Sequence, residues 1–258
     1  MLRIYLKFKA QYLKTEMEYT LNFWMMAVAG VLMRAGMLAV AFVLFRNVPD
    51  IAGWNEAEVY FILSLIFLSE GVCNLLFDGV WSLPALVFRG EFDVMLSRPI
   101  SPLYQLLAYG VGLQGAGLLP VGLISYFLSL HTLGRLNPFS ILLMVPFVLC
   151  GAAIRVAAIL IAASNVFWMR ADGLSLTYLA HTVGEYAKYP VSIYPGWMQF
   201  ILLAVIPYGF IGFVPALILR GERAVLLSLA LLGFTALYCL LARAVFYRGI
   251  QKYESMGM

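Results

Sequence analysis

Arg34, Glu70 and Arg155 stand inside long apolar stretches of this sequence, and His181, Glu185 and Lys188 follow at helical spacing on one face of a moderately apolar segment. A charge at the centre of a membrane-spanning helix costs roughly 2.5–3.5 kcal/mol even on the mildest scale, so each such position needs a partner or a task. Arg34 lies near the middle of the first apolar stretch and Glu70 near the middle of the second. Antiparallel neighbours would set them at similar depth, and we expect an ion pair. Such a pair can serve helix packing alone. Arg155 and His181 fall at comparable depth if the His181 segment crosses the bilayer. A polar stripe of this kind has three possible uses: lining a pathway, forming a subunit interface, or facing water on a cytoplasmic helix.

Catalytic patterns are mostly absent. There is no H-E-x-x-H, no G-x-S-x-G and no histidine pair at metal-ligand spacing, and His131 sits alone in a turn. No G-x-x-x-x-G-K-S/T phosphate loop occurs, so if ATP drives this protein another chain must bind it. Cys73, Cys150 and Cys239 lie unpaired in apolar stretches and read as buried small apolar residues.

The elements that position these residues follow from composition. The chain has 258 residues, 63% hydrophobic and 12% charged, against roughly 45–50% and about 25% for a soluble domain. It reads as an all-α polytopic membrane protein with about six crossings and one transmembrane domain over 1–258. Residues 1–20 set Leu2, Tyr5, Leu6, Leu13 and Met17 on one side and Arg3, Lys7 and Lys14 elsewhere, as an amphipathic interfacial helix does. No signal-peptide pattern precedes the first span, which is expected to stay. Spans are expected at about 21–45, 59–80, 103–130, 139–167 and 224–246. The third and fourth are long enough to tilt or kink at Pro120 and Pro146. Residues 81–102, with Pro84, Arg89, Glu91, Asp93, Arg98, Pro99 and Pro102, are too charged and proline-rich to cross.

Hydropathy leaves two layouts for the region between Arg170 and Arg223. Either 172–189 crosses and 196–219, broken by Pro207, Gly209, Gly212 and Pro215, dips in and returns, or 172–189 stays inside and 196–219 crosses. Arg3, Lys7, Lys9, Lys14, Arg89, Arg98, Arg170, Arg243, Arg248 and Lys252 fall on the side of the termini in both, and Arg46, Arg135, Arg220 and Arg223 fall opposite. The basic excess puts both termini in the cytoplasm. The net charge of +4 is thereby explained by orientation, without nucleic acid.

The stretch from Arg89 through Gly90, Glu91, Phe92, Asp93 and Arg98-Pro99 to Leu103 resembles the cytoplasmic loop of ABC type-2 exporter permeases, in the small six-span branch that pairs two different permeases with one ATPase. Tyr189-Pro190-Val191-Ser192-Ile193-Tyr194-Pro195 and the tail Tyr253-Glu254-Ser255 continue the resemblance, the tail weakly. The resemblance implies a bacterial inner-membrane permease whose 81–102 element docks on a separate ABC ATPase, expected in two copies, through Phe88, Arg89, Gly90, Glu91, Phe92, Asp93, Arg98 and Pro99. It implies a second permease chain, related or identical, enclosing the route, and it favours the layout with a re-entrant outer segment at 190–219. ATP and Mg would sit on the ATPase, with no cofactor or metal on this chain.

The expected function is outward movement of an amphipathic, lipid-like or drug-like compound, with Arg34, Glu70, Arg155, His181 and Glu185 as pairing or pathway residues. An ion- or proton-coupled carrier using Glu70, His181 and Glu185 is the alternative in transport, without the internal repeat that would favour it. A lipid-modifying enzyme would need a second catalytic group beside His131 or His181.

Overall fold

The computed structural model of the chain describes residues 2–169 and 174–254. The expectations for Arg170, for residues 172–173, for Ser255 and for the side chain of Leu2 lie outside the described residues. The helices are α1 (Leu2–Glu18), α2 (Thr20–Asn47), α3 (Glu56–Phe77), α4 (Gly79–Phe88), α5 (Glu91–Ser97), α6 (Pro102–Ala108), α7 (Gln114–Thr132), α8 (Pro138–Ser164), α9 (Leu174–Tyr186), α10 (Gly196–Phe200), α11 (Phe213–Arg220) and α12 (Ala224–Ile250). Among the described residues α2, α3, α7, α8 and α12 are long and apolar enough to cross a membrane.

Helix α3 is the axis of the bundle, packed between α7 and α8. Its apolar window is 72% buried, against 11% for α2 and 17% for α12, which turn apolar side chains outward as lipid-facing helices do. Asn55 starts α3 with a capping box: its side chain accepts the Glu58 N–H while the Glu58 carboxylate accepts the Asn55 N–H, both at 3.0 Å. Helix α2 reaches α7 through glycine. A Cβ on Gly117 would run into the Ala27 carbonyl, and one on Gly30 would stand 2.7 Å from the Gln114 carbonyl oxygen. Lipid is as apolar as leucine, so this backbone contact replaces the hydrophobic drive as the source of cohesion.

Several expectations are corrected. The third span starts at Gln114 rather than 103, because the chain breaks after α6 at Tyr109 and Gly110, whose φ of 62° ends the helix. The surplus length is absorbed there, and Pro120 and Pro146 lie inside α7 and α8. Residues 81–102 do not form an open loop. Helix α4 is apolar and largely buried with Pro84 in it, and Gly90, at φ 70°, turns the chain sharply into α5. In α1 the side turned to the protein is Tyr5, Lys9 and Tyr12, while Leu6, Leu13 and Met17 are exposed beside it, free to enter a leaflet. The Tyr5 hydroxyl donates to the Leu76 and Leu107 carbonyls, and Lys9 Nζ donates to Gly110 O at 2.7 Å. Burial pushes the Lys9 ammonium down to about 8, against the opposing pull of Asp78. Cys73 and Cys150 are buried, but Cys239 is exposed, on the side of α12 that meets α8 near Ala153.

The region after α8 resolves by its contacts. Phe167, just past α8, meets Phe92, Phe246 and Tyr253 at the end of the bundle that holds the C-terminal tail. Ser192 Oγ accepts from Trp54 Nε1 at 2.9 Å in the α2–α3 turn, at the opposite end. Between them lies α9, whose 13 residues make about 20 Å, less than the ~30 Å of a hydrocarbon core. It ends at Tyr186 rather than 189, and a turn followed by the 3-10 helix Val191–Ile193 carries the chain to Ser192.

From Ser192 the chain goes inward and comes back. Gly196–Val205 and Tyr208–Arg220 are bent against each other by 77°. Arg220 then grips both Glu58 carboxylate oxygens at 2.6 Å and Gly53 O at 2.7 Å, in the same turn that holds Ser192. At the innermost point Tyr208 is buried with its ring 5.9 Å from the Arg155 guanidinium. Pro207 cannot continue a helix, and the Val205 carbonyl freed at this break takes the Tyr238 hydroxyl at 3.2 Å.

Candidate functional site

The charges expected as separate sets form one cluster in the middle of the bundle. Helix α2 supplies Arg34 and α3 supplies Glu70, with Arg34 Nη2 at 2.7 Å from Glu70 Oε1. Helix α8 supplies Arg155, whose Nη2 lies 3.1 Å from the same oxygen. Helix α9 adds His181, with Nδ1 at 3.0 Å from Arg155 Nη2. A guanidinium only donates, so His181 Nδ1 must accept and its proton sits on Nε2, which faces Glu185 Oε1 at 4.0 Å. Glu185 is bonded in turn by Lys188. Lys188 and Arg155 are nearly fully buried, and Glu70 is 4% exposed.

The cluster lines the deep end of a cavity of about 610 Å³ bounded by α1, α2, α3, α4, the segment before α7, α8 and α9. Glu70, Asn74 and Asp78 form a polar row along α3 at intervals of four residues, all on the cavity wall. Asp78, with Glu16 of α1, marks the end nearer the chain terminus. Trp81 stands edge-on to the His181 ring, centroids 5.5 Å apart. Sequence reasoning missed Asn74, Asp78, Trp81 and Tyr208, though the i, i+4, i+8 row was readable. His131 takes no part and sits in the last turn of α7.

The expected coupling residues divide into two groups. Arg89 and Glu91 are exposed and 3.9 Å apart, Phe88 is 57% exposed, and Arg98 and Pro99 are exposed beyond α5. Phe92 is turned inward and fully buried, which corrects its assignment to the docking surface. Its ring packs on Phe167, Phe246 and Tyr253 at 5.3–6.3 Å, tying α5 to the ends of α8 and α12 and to the tail. Gly90 makes the turn that presents Arg89 and Glu91, and Asp93 is half-buried on α5. Among the described residues no group of His, Cys, Asp and Glu is set to hold a metal ion.

Five helices long and apolar enough to cross a membrane, around a charged cavity of about 610 Å³, make this a multi-pass membrane protein. The family's sequence model, ABC-2 family transporter protein, matches residues 31–257. The chain belongs to the ABC-2 transporter family, whose permeases work with an ABC ATPase. No curated protein and no solved structure matches it.

Proposed function

We propose that the chain is the membrane half of an ATP-driven exporter in a bacterial inner membrane, moving an amphipathic, lipid-like or drug-like compound outward while a separate ATPase hydrolyses ATP with Mg. The observation that carries this reading is the polar cavity running from Glu16 and Asp78 near the terminal end of the bundle to Arg34, Glu70 and Arg155 at its middle. A structural ion pair needs no such space, whereas a loading chamber does. In this reading the termini and α4–α6 face the cytoplasm, and Phe88, Arg89, Glu91 and Arg98 meet the ATPase, an apolar contact with a charged rim. Residues 190–219 form a re-entrant segment on the outer side, stopped from crossing by Pro207. The exposed face of α2, with Leu21, Trp24, Met25 and Val28, is covered by lipid or by a second permease, related or identical.

The test is reconstitution. The purified chain should hydrolyse no ATP alone and should form a substrate-stimulated ATPase with the ATPase encoded beside it. Hydrolysis by the single chain would overturn the reading, as would two neighbouring genes of unrelated kind.

A further inference from the structure

The cavity holds an imbalance of charge. Lys188 and Glu185 bond to each other, and the His181 ring is held neutral by accepting from Arg155. That leaves two guanidiniums, Arg34 and Arg155, converging on the single carboxylate of Glu70, and both use its Oε1. Guanidinium keeps its proton at every pH a protein tolerates. One positive charge at mid-bundle is therefore uncompensated by the side chains in contact with it. Arg34 Nε and Arg155 Nε are buried without a hydrogen-bond partner, and so is Glu70 Oε2. A buried unpaired donor on a charged group is costly unless something occupies the site. The next carboxylates on the wall do not serve: Asp78 lies two helical turns from Glu70, about 12 Å along α3, with Glu16 beside it at the far end. Along α2 the wall near the cluster is apolar, with Met26 and Met33 faced by Leu118 of α7, while Asn74, Gln114 and Tyr178 give the opposite wall polar groups.

We propose that this cavity binds an amphiphile carrying a single anionic group, its carboxylate or phosphate on Arg34 and Arg155 and its apolar body along α2. This rests on the permease reading for its meaning as substrate, but binding is measured without transport. The whole chain is placed in nanodiscs of zwitterionic lipid and titrated calorimetrically with dodecyl phosphate, dodecyltrimethylammonium and inorganic phosphate. Dodecyl phosphate should bind saturably at one site and the cationic amphiphile at least tenfold more weakly. Arg155→Gln and Arg34→Gln should each weaken dodecyl phosphate about ten- to a hundredfold, the value of one charge-assisted hydrogen bond. Arg46→Gln, which removes an exposed arginine at the far end of α2, should leave it unchanged. Glu70→Gln, which frees both guanidiniums, should tighten it. If Arg155→Gln does not fold, the charge preference of the native chain still decides. Equal affinity for the two amphiphiles, inorganic phosphate binding as tightly as dodecyl phosphate, or unchanged affinity in both arginine variants would overturn the proposal. Saturable anion binding without ATPase stimulation would instead leave this site standing and remove the exporter reading.

Discussion

Glu70→Gln keeps the shape of the side chain and removes the carboxylate that holds Arg34 at 2.7 Å and Arg155 at 3.1 Å. The two guanidiniums left behind have side-chain exposures of 14% and 4%, so little water reaches Arg155. Removing one partner of a buried ion pair costs about 3–5 kcal/mol, and the cavity beside Arg34 sets this case near the lower end, about 3 kcal/mol. Arg34→Gln is a milder change. Glu70 then keeps Arg155, and the loss is one charge-assisted hydrogen bond, about 1.5 kcal/mol. The double variant strands a single cation rather than two, so it should be more stable than Glu70→Gln alone. The assay is denaturant unfolding of the four proteins of the cycle in one detergent. The expected order of loss is Glu70→Gln, then the double variant, then Arg34→Gln, with an interaction energy above about 1 kcal/mol. Additive losses would show that Arg34 and Glu70 do not interact. Equal losses in the two single variants would refute the shared carboxylate.

Charge reversal at Arg89 or Glu91 should leave membrane insertion and folding intact, since both are exposed, but should lower recovery of the ATPase on co-purification and lower transport. Unchanged values in both variants would remove the docking role. Phe92→Ala should cost about 3–5 kcal/mol in thermal unfolding, because the fully buried ring joins α5 to Phe167, Phe246 and Tyr253. Phe88→Ala, at a half-exposed position, should stay within about 0.5 kcal/mol and affect ATPase binding instead. Ser192→Cys, in a chain whose native cysteines are replaced, should react with a membrane-impermeant thiol reagent from outside, and reaction from the cytoplasm alone would invert the layout of 174–220.

The parts legible in the sequence are those decided by length and depth alone. Four of the five expected spans recur within a few residues, because a bilayer accepts only long apolar helices and the sequence marks them without reference to any partner. The Arg34–Glu70 pair was readable for the same reason: two charges at the middle of consecutive antiparallel spans have few other places to go. What depends on contacts between distant segments was not readable. Glu70 and Arg155 are 85 residues apart, and only the packing of α8 against α3 brings the second guanidinium to the carboxylate. Phe88 and Phe92 are alike in type and four positions apart, yet one is 57% exposed and the other fully buried. The glycine turn at 90 falls between them and changes the chain direction, and the rings that receive Phe92 come from residues 167, 246 and 253. Hydropathy left α9 undecided for the opposite reason. Hydropathy scores a segment by its own composition, but α9 is surrounded by protein on its His181 and Gly184 side, where Tyr208 and Arg155 supply the environment that lipid would supply elsewhere. A helix so placed can carry polar residues and fall short of the bilayer, because the protein beside it pairs its side chains and the turn and short 3-10 helix after Tyr186 carry the chain on to Ser192. The positions where local reading fails are thus the walls of the cavity, where charge is held by several helices at once and none of them signals it alone.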